Sequence, residues 1–92
     1  MSIVVRFHPK NLTAEQYDAV IRREESTETY PPDGREYHVC FGRDGDLQVS
    51  EIWDSLEHLQ AYGPILMPML ADAGIEFSAD PDVFEVHSIV RR

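Results

Sequence analysis

Five side chains of this 92-residue chain have the types and spacing to act on a small molecule: His38, Glu51, Trp53, Tyr62 and His87. The pair His38 and Glu51 carries the most chemistry. A carboxylate beside an imidazole selects its tautomer and raises its basicity, which suits a general base. The pairing follows from Asp44-Gly45, a favoured two-residue type I′ hairpin turn. With those residues as the turn, Arg43 faces Asp46, Cys40 faces Val49, His38 faces Glu51 and Glu36 faces Trp53. Strand alternation then puts His38, Cys40, Val49, Glu51 and Trp53 on one face, and Tyr37, Val39, Phe41 and Ile52 on the other. An ordinary cross-strand ion pair, contributing about 0.2–1 kcal/mol, has the same sequence signature.

The remaining candidates each have a packing alternative. Trp53 can stack on an aromatic ligand or fill core with its N–H bonded. Tyr62 and Tyr37 can donate to a substrate oxygen, though Tyr62 also lies on the apolar stripe of a helix. His87, read as part of the last strand, can join His38 in a pocket. Cys40 is a poor nucleophile candidate, since buried thiols are usually inert. Met67 and Met69, with Leu66 and Leu70, read as core or as a pliable pocket wall. His38, His87 and Glu51 would make a two-histidine, one-carboxylate metal set. No H-x-x-x-H or C-x-x-C spacing supports it, and no glycine-rich phosphate loop is present, so neither metal nor cofactor is expected.

The elements that must position these residues follow in order. Residues Ile3 to His8 are β-branched or aromatic and read as a strand ended by Pro9. Thr13 with Gln16 forms a capping box, Leu12 can staple onto Tyr17, and Tyr17, Val20 and Ile21 make an apolar stripe on a helix fading near Glu25. Ser26 to Gly34, with Pro31-Pro32-Asp33-Gly34, is a loop and a candidate lid or rim. The hairpin spans Glu36–Phe41 and Leu47–Trp53. Ser55 caps a second helix, expected as two pieces or one kinked helix because Gly63-Pro64 and Pro68 interrupt its hydrogen bonding. Gly74 closes it, a short acidic loop follows, and Val83 to Val90 reads as the last strand.

This order, β-α-β-β-α-β, predicts an α+β fold of ferredoxin-like type over residues 1–92: a four-stranded antiparallel sheet with two helices on one face. The first and last strands are apolar on both faces, and nothing remains in the chain to cover the second face. A second copy of the chain is the expected cover, giving a homodimer. Which face meets the helices stays open at this point.

Composition excludes several classes. Seventeen acidic and eight basic residues give a formal net charge of −9. Such a chain lacks the basic face that nucleic acid or an anionic membrane requires. The single cysteine excludes an intramolecular disulfide, and without a secretory pattern a cytoplasmic location is expected. No apolar run approaches the ~20 residues of a membrane span.

The segment Glu51-Ile52-Trp53-Asp54-Ser55-Leu56-Glu57-His58-Leu59-Gln60-Ala61-Tyr62 resembles the E-x-W-x-S-x-E-x-L-x-A-H segment of the antibiotic-biosynthesis-monooxygenase-like proteins, of the dimeric α+β barrel superfamily. The resemblance implies a dimeric barrel and a pocket for a small aromatic ligand. It also implies cofactor-independent oxygenation or isomerisation of an aromatic or polyketide-like substrate, with His38 and Glu51 as catalytic candidates and Trp53, Tyr62 and His87 against the substrate. A non-catalytic, ligand-binding or stress-associated dimer is the alternative. Tyr62 stands where many members carry histidine. The haem-degrading members resemble an asparagine, tryptophan and histidine triad, and here the one asparagine, Asn11, lies beyond the first strand.

Overall fold

β-Branched and aromatic residues open the chain as β1 (Ile3–Lys10), and the remaining elements follow as α1 (Ala14–Glu25), β2 (Arg35–Arg43), β3 (Asp46–Trp53), α2 (Leu56–Asp72) and β4 (Glu76–Glu85). A computed structural model describes residues 1–92. The four strands form one antiparallel sheet in the order β2-β3-β1-β4. This is the expected ferredoxin-like topology. Ile3, Val5, Trp53 and Tyr62 form the buried core, with Phe7, Leu59 and Leu66 packed against them.

α1 begins as expected: the Thr13 hydroxyl accepts from the Gln16 backbone N–H, and the Gln16 side chain accepts from the Thr13 N–H. Three local expectations give way. The β2–β3 turn is not type I′, because only Gly45 (φ 88°) takes a positive φ and Asp44 does not. The Asp44 carboxylate instead accepts the Ala14 N–H at 2.8 Å, tying the turn to the start of α1. α2 runs unbroken through Gly63, Pro64 and Pro68. Its Leu59, Tyr62, Leu66 and Met69 stay on the core side, and that burial outweighs the backbone bonds the two prolines cannot make. β4 starts at Glu76, seven residues before the expected Val83, and ends at Glu85. It is an edge strand, and the register against β1 slips between Arg6 and His8, opposite Asp82 and Ala79. Pro81 sits in that irregularity, where its missing N–H costs little.

Candidate functional site

The β2–β3 register delivers the central pair. His38 lies opposite Glu51, Cys40 opposite Val49 and Arg43 opposite Asp46, as the hairpin counting predicts. The face carrying His38, Glu51 and Trp53 is the one that meets the helices. Glu51 is 3% exposed and Trp53 1%. Tyr37, Val39 and Phe41 on the opposite face are each about half exposed, as is Phe84 of β4.

One register position departs from expectation. Trp53 is paired with Arg35, not Glu36, and a bulge lies between Arg35 and Tyr37. The inserted residue reverses the alternation, so Arg35 turns inward and Glu36 outward. Glu36 accepts a hydrogen bond from the Ser2 hydroxyl at 2.8 Å near the chain termini. The Arg35 side chain is only 6% exposed; its guanidinium lies 3.3 Å from Glu51 Oε2 and 3.6 Å from Glu24 Oε2. The ring of Tyr30, from the loop between α1 and β2, lies 5.6 Å from the guanidinium carbon.

These residues form a continuous network. His38 Nδ1 is 2.5 Å from Glu51 Oε2, and the Trp53 indole N–H donates to Glu51 Oε1 at 2.9 Å. On the other side of the imidazole, Nε2 is 2.7 Å from the Tyr17 hydroxyl, with the two rings stacked at 5.8 Å. The Tyr62 hydroxyl donates to Glu24 Oε2 at 2.5 Å. With Glu51 ionised and the imidazole neutral, Nδ1 of His38 carries the proton, Nε2 is the acceptor, and Tyr17 is the donor. Every buried side-chain polar atom has a partner.

The tyrosines are held as phenols. Burial first, then the charges near Cys40, Glu24 and Tyr30, push Tyr17 up to about 12, against a smaller opposing pull from Arg35. Burial and the hydrogen bond to Glu24 raise Tyr62 further. Burial, reinforced by Asp18, likewise raises the Cys40 thiol, which keeps it in the unreactive protonated form.

A cavity of about 60 Å³ lies between this network and the helices. Tyr17, His38, Glu24 and Glu51 line it together with the apolar Phe7, Leu66, Leu70 and Phe77, and the surface it exposes is apolar. Its volume is less than half of the roughly 150 Å³ that admits benzene in an engineered apolar cavity. A ring-sized ligand therefore enters only if α1 and the sheet part, or if it protrudes from the cavity mouth.

The five sequence candidates fare differently. His38 and Glu51 line the cavity. Trp53 and Tyr62 are brought to the same network but stand behind it, buried, with ring centroids 5.9 Å apart, and neither lines the cavity. His87 follows the end of β4, is exposed, and does not join the group. The displaced strand is the reason, since β4 ends two residues before it. Tyr62 instead borders a separate groove of about 360 Å³ lined also by Pro31, Pro32 and Asp33, so the loop read as a rim does edge a depression. Met69 is buried while Met67 is exposed, which removes Met67 from both core and pocket. His38, His87 and Glu51 do not assemble a metal set, and no cluster of three ligating side chains exists elsewhere.

Sequence reasoning missed Tyr17, Glu24 and Arg35 as members of the site. For Glu24 a signal existed: it follows Tyr17 by seven residues and Val20 by four, on the same stripe of α1. A carboxylate at a core-facing position needs a partner. For Arg35 there was none, because only the bulge turns it inward.

Solved structures share this fold. A candidate antibiotic biosynthesis monooxygenase from Deinococcus radiodurans superposes with a TM-score of 0.65 at 14% identity, over 100% of this chain and 98% of that one. SnoaB, a cofactor-independent oxygenase from Streptomyces nogalater, gives 0.61 at 15% identity over 99% and 96%. The chain has the fold of the antibiotic biosynthesis monooxygenases. Rv0793 from Mycobacterium tuberculosis shares it, with a TM-score of 0.55 at 18% identity over 98% of this chain and 95% of the other. No family model and no curated protein matches the sequence. No helix is long and apolar enough to cross a membrane.

Proposed function

We propose that this chain is a small-molecule pocket protein in which His38 removes a proton from a phenolic, enolic or α-carbonyl substrate and Glu51 holds the resulting imidazolium. The observation that carries this reading is the 2.5 Å contact of His38 Nδ1 with a carboxylate that is 3% exposed and also held by Arg35 and Trp53. A buried, fixed carboxylate stabilises positive charge on the imidazole without reorganising as the proton arrives. Trp53 contributes by holding Glu51 rather than by stacking on the substrate.

The substrate proton goes to His38, and the electron pair of the broken bond stays on the substrate as an aryloxide or enolate. Reprotonation at another carbon gives an isomerase. Alternatively, the carbanion gives its electrons to dioxygen, forming a C–O bond. Loss of water then converts a CH2 group to C=O, so CH2 and O2 become C=O and H2O with no cofactor. The fold it shares with a cofactor-independent oxygenase supports this second course. The half-exposed Tyr37, Val39, Phe41 and Phe84 support a homodimer closed over the free sheet face.

Native mass spectrometry of the purified protein, followed by oxygen-uptake assays with hydroxyarenes and enolisable ketones, tests the reading. A dimer carrying an aromatic adduct, with turnover abolished in His38→Ala, is the expected result. Full turnover by His38→Ala would sink the assignment. A second reading, a non-catalytic dimeric ligand-binding or stress-associated module, is favoured by the small cavity and by the capped Nε2 of His38. It expects bound ligand without oxygen consumption or isomerisation.

A further inference from the structure

The base nitrogen of His38 is not free. Nε2, the atom that would take a substrate proton, already meets the Tyr17 hydroxyl at 2.7 Å, and the stacked rings hold that contact in place. Tyr17 and His38 both line the cavity, and the Tyr17 hydroxyl occupies the hydrogen-bonding position on Nε2 that a ligand would need to reach the imidazole. We infer that Tyr17 is the group that touches the substrate, and that His38 and Glu51 act on the ligand through its hydroxyl, with an aromatic or enolic hydroxyl compound as the ligand class. The inference rests on the reading of His38 as a base given above.

The exchange balances. The ligand O–H bond breaks, and its proton forms a new O–H bond to Tyr17 Oη. Tyr17's own proton passes to His38 Nε2. The ligand keeps the electron pair as an aryloxide or enolate, now accepting a hydrogen bond from a neutral Tyr17. His38 becomes an imidazolium paired with the Glu51 carboxylate. Tyr17 never exists as a free phenolate, in keeping with a phenol that burial and nearby negative charge hold well above its ordinary range. The relay reverses the direction of both hydrogen bonds, ligand to Tyr17 and Tyr17 to His38, and needs no heavy atom to move once the ligand is seated. With α1 and the sheet parted, or with the ring protruding from the mouth, the apolar lining with Phe7, Phe77 and Leu66 suits the body of an aryl group more than that of a sugar or an amino acid.

The probe is para-nitrophenol, whose yellow phenolate band reports its ionisation, titrated with protein at a pH where the free probe is mostly neutral. The wild type is expected to bind it as phenolate, and His38→Gln to bind it neutral or not at all. Tyr17→Phe should weaken phenolate binding by about tenfold or more, as for loss of a hydrogen bond to a charged group. A site-specific difluorotyrosine at position 17 keeps shape and hydroxyl while strengthening the donor, so it separates a folding defect from a lost contact. The relay predicts tighter phenolate binding with it. If the ligand instead displaces Tyr17 to reach Nε2 directly, the stronger donor clings to His38 and binding weakens, while Tyr17→Phe binds as well as or better than wild type. Either of those results overturns the inference and leaves His38 as the base. A wild type that fails to bind or ionise the probe, or a His38→Gln variant that ionises it equally, removes the base reading and the relay with it.

Discussion

Arg35 is the one buried cation facing two buried carboxylates, so removing its charge should be the most damaging single change in the site. At 3.3 Å from Glu51 and 3.6 Å from Glu24, Coulomb attraction in an effective dielectric of ~20 amounts to about 5 kcal/mol with each. Repulsion between the two carboxylates and the cost of desolvating the guanidinium offset much of this. Breaking a buried pair by deleting one partner typically costs about 3–5 kcal/mol, because a charge is left buried and uncompensated. Arg35→Met keeps most of the side-chain volume and removes the charge, so that figure is the expected loss. A domain of this size has roughly 5–14 kcal/mol in total, and each kcal/mol shifts Tm by about 4–8 °C. Thermal unfolding followed by circular dichroism at one fixed protein concentration should therefore show Tm lower by at least about 12 °C. Adding Glu24→Gln should recover part of the loss by removing one stranded charge. A loss under about 1 kcal/mol, or a double variant no more stable than Arg35→Met, would refute the view that the bulge exists to place this charge.

Two further outcomes are expected. Both site tyrosines have raised values in the folded state, Tyr17 to about 12 through burial and nearby negative charge, and Tyr62 further through burial and Glu24. Above the ordinary tyrosine value of about 10 the unfolded chain loses these protons first. The native state then binds more protons than the unfolded one, so stability should fall as pH rises from about 10 to about 12. Tyr17→Phe should flatten part of that fall in denaturant titrations; an unchanged slope would contradict it. Phe41→Glu places a charge on the free sheet face, and sedimentation velocity should show a monomer where the wild type sediments as a dimer. A wild-type monomer at micromolar concentration would remove the dimer proposal.

Much of the fold was legible because it depends on local chemistry. Thr13 and Gln16 marked the start of α1, Ser55 the start of α2, and Asp44-Gly45 the hairpin. The His38–Glu51 opposition needed only the hairpin's loop length, which stayed at two residues even though the turn adopted another type. The errors arose where tertiary packing outweighed local preference. Two prolines and a glycine read as a break in α2, yet the core-facing side of that helix holds it whole. Pro81 read as loop, yet an edge strand beside an irregular partner accommodates it, which moved β4 back along the chain and left His87 outside the site.

The sequence by itself determined the order of the elements, the pairing of His38 with Glu51 and the presence of an acidic chain with one sheet face left apolar. These follow from spacing, turn chemistry and alternation, all of which act over a few residues. Only the tertiary structure decided which face the helices cover. It alone brought Tyr17 and Glu24 of α1 against β2 and β3, and it alone turned Arg35 inward through a bulge that one extra residue creates. Those contacts join residues from separate elements. Their geometry is set by how helix and sheet pack against each other, a property that no short stretch of sequence carries.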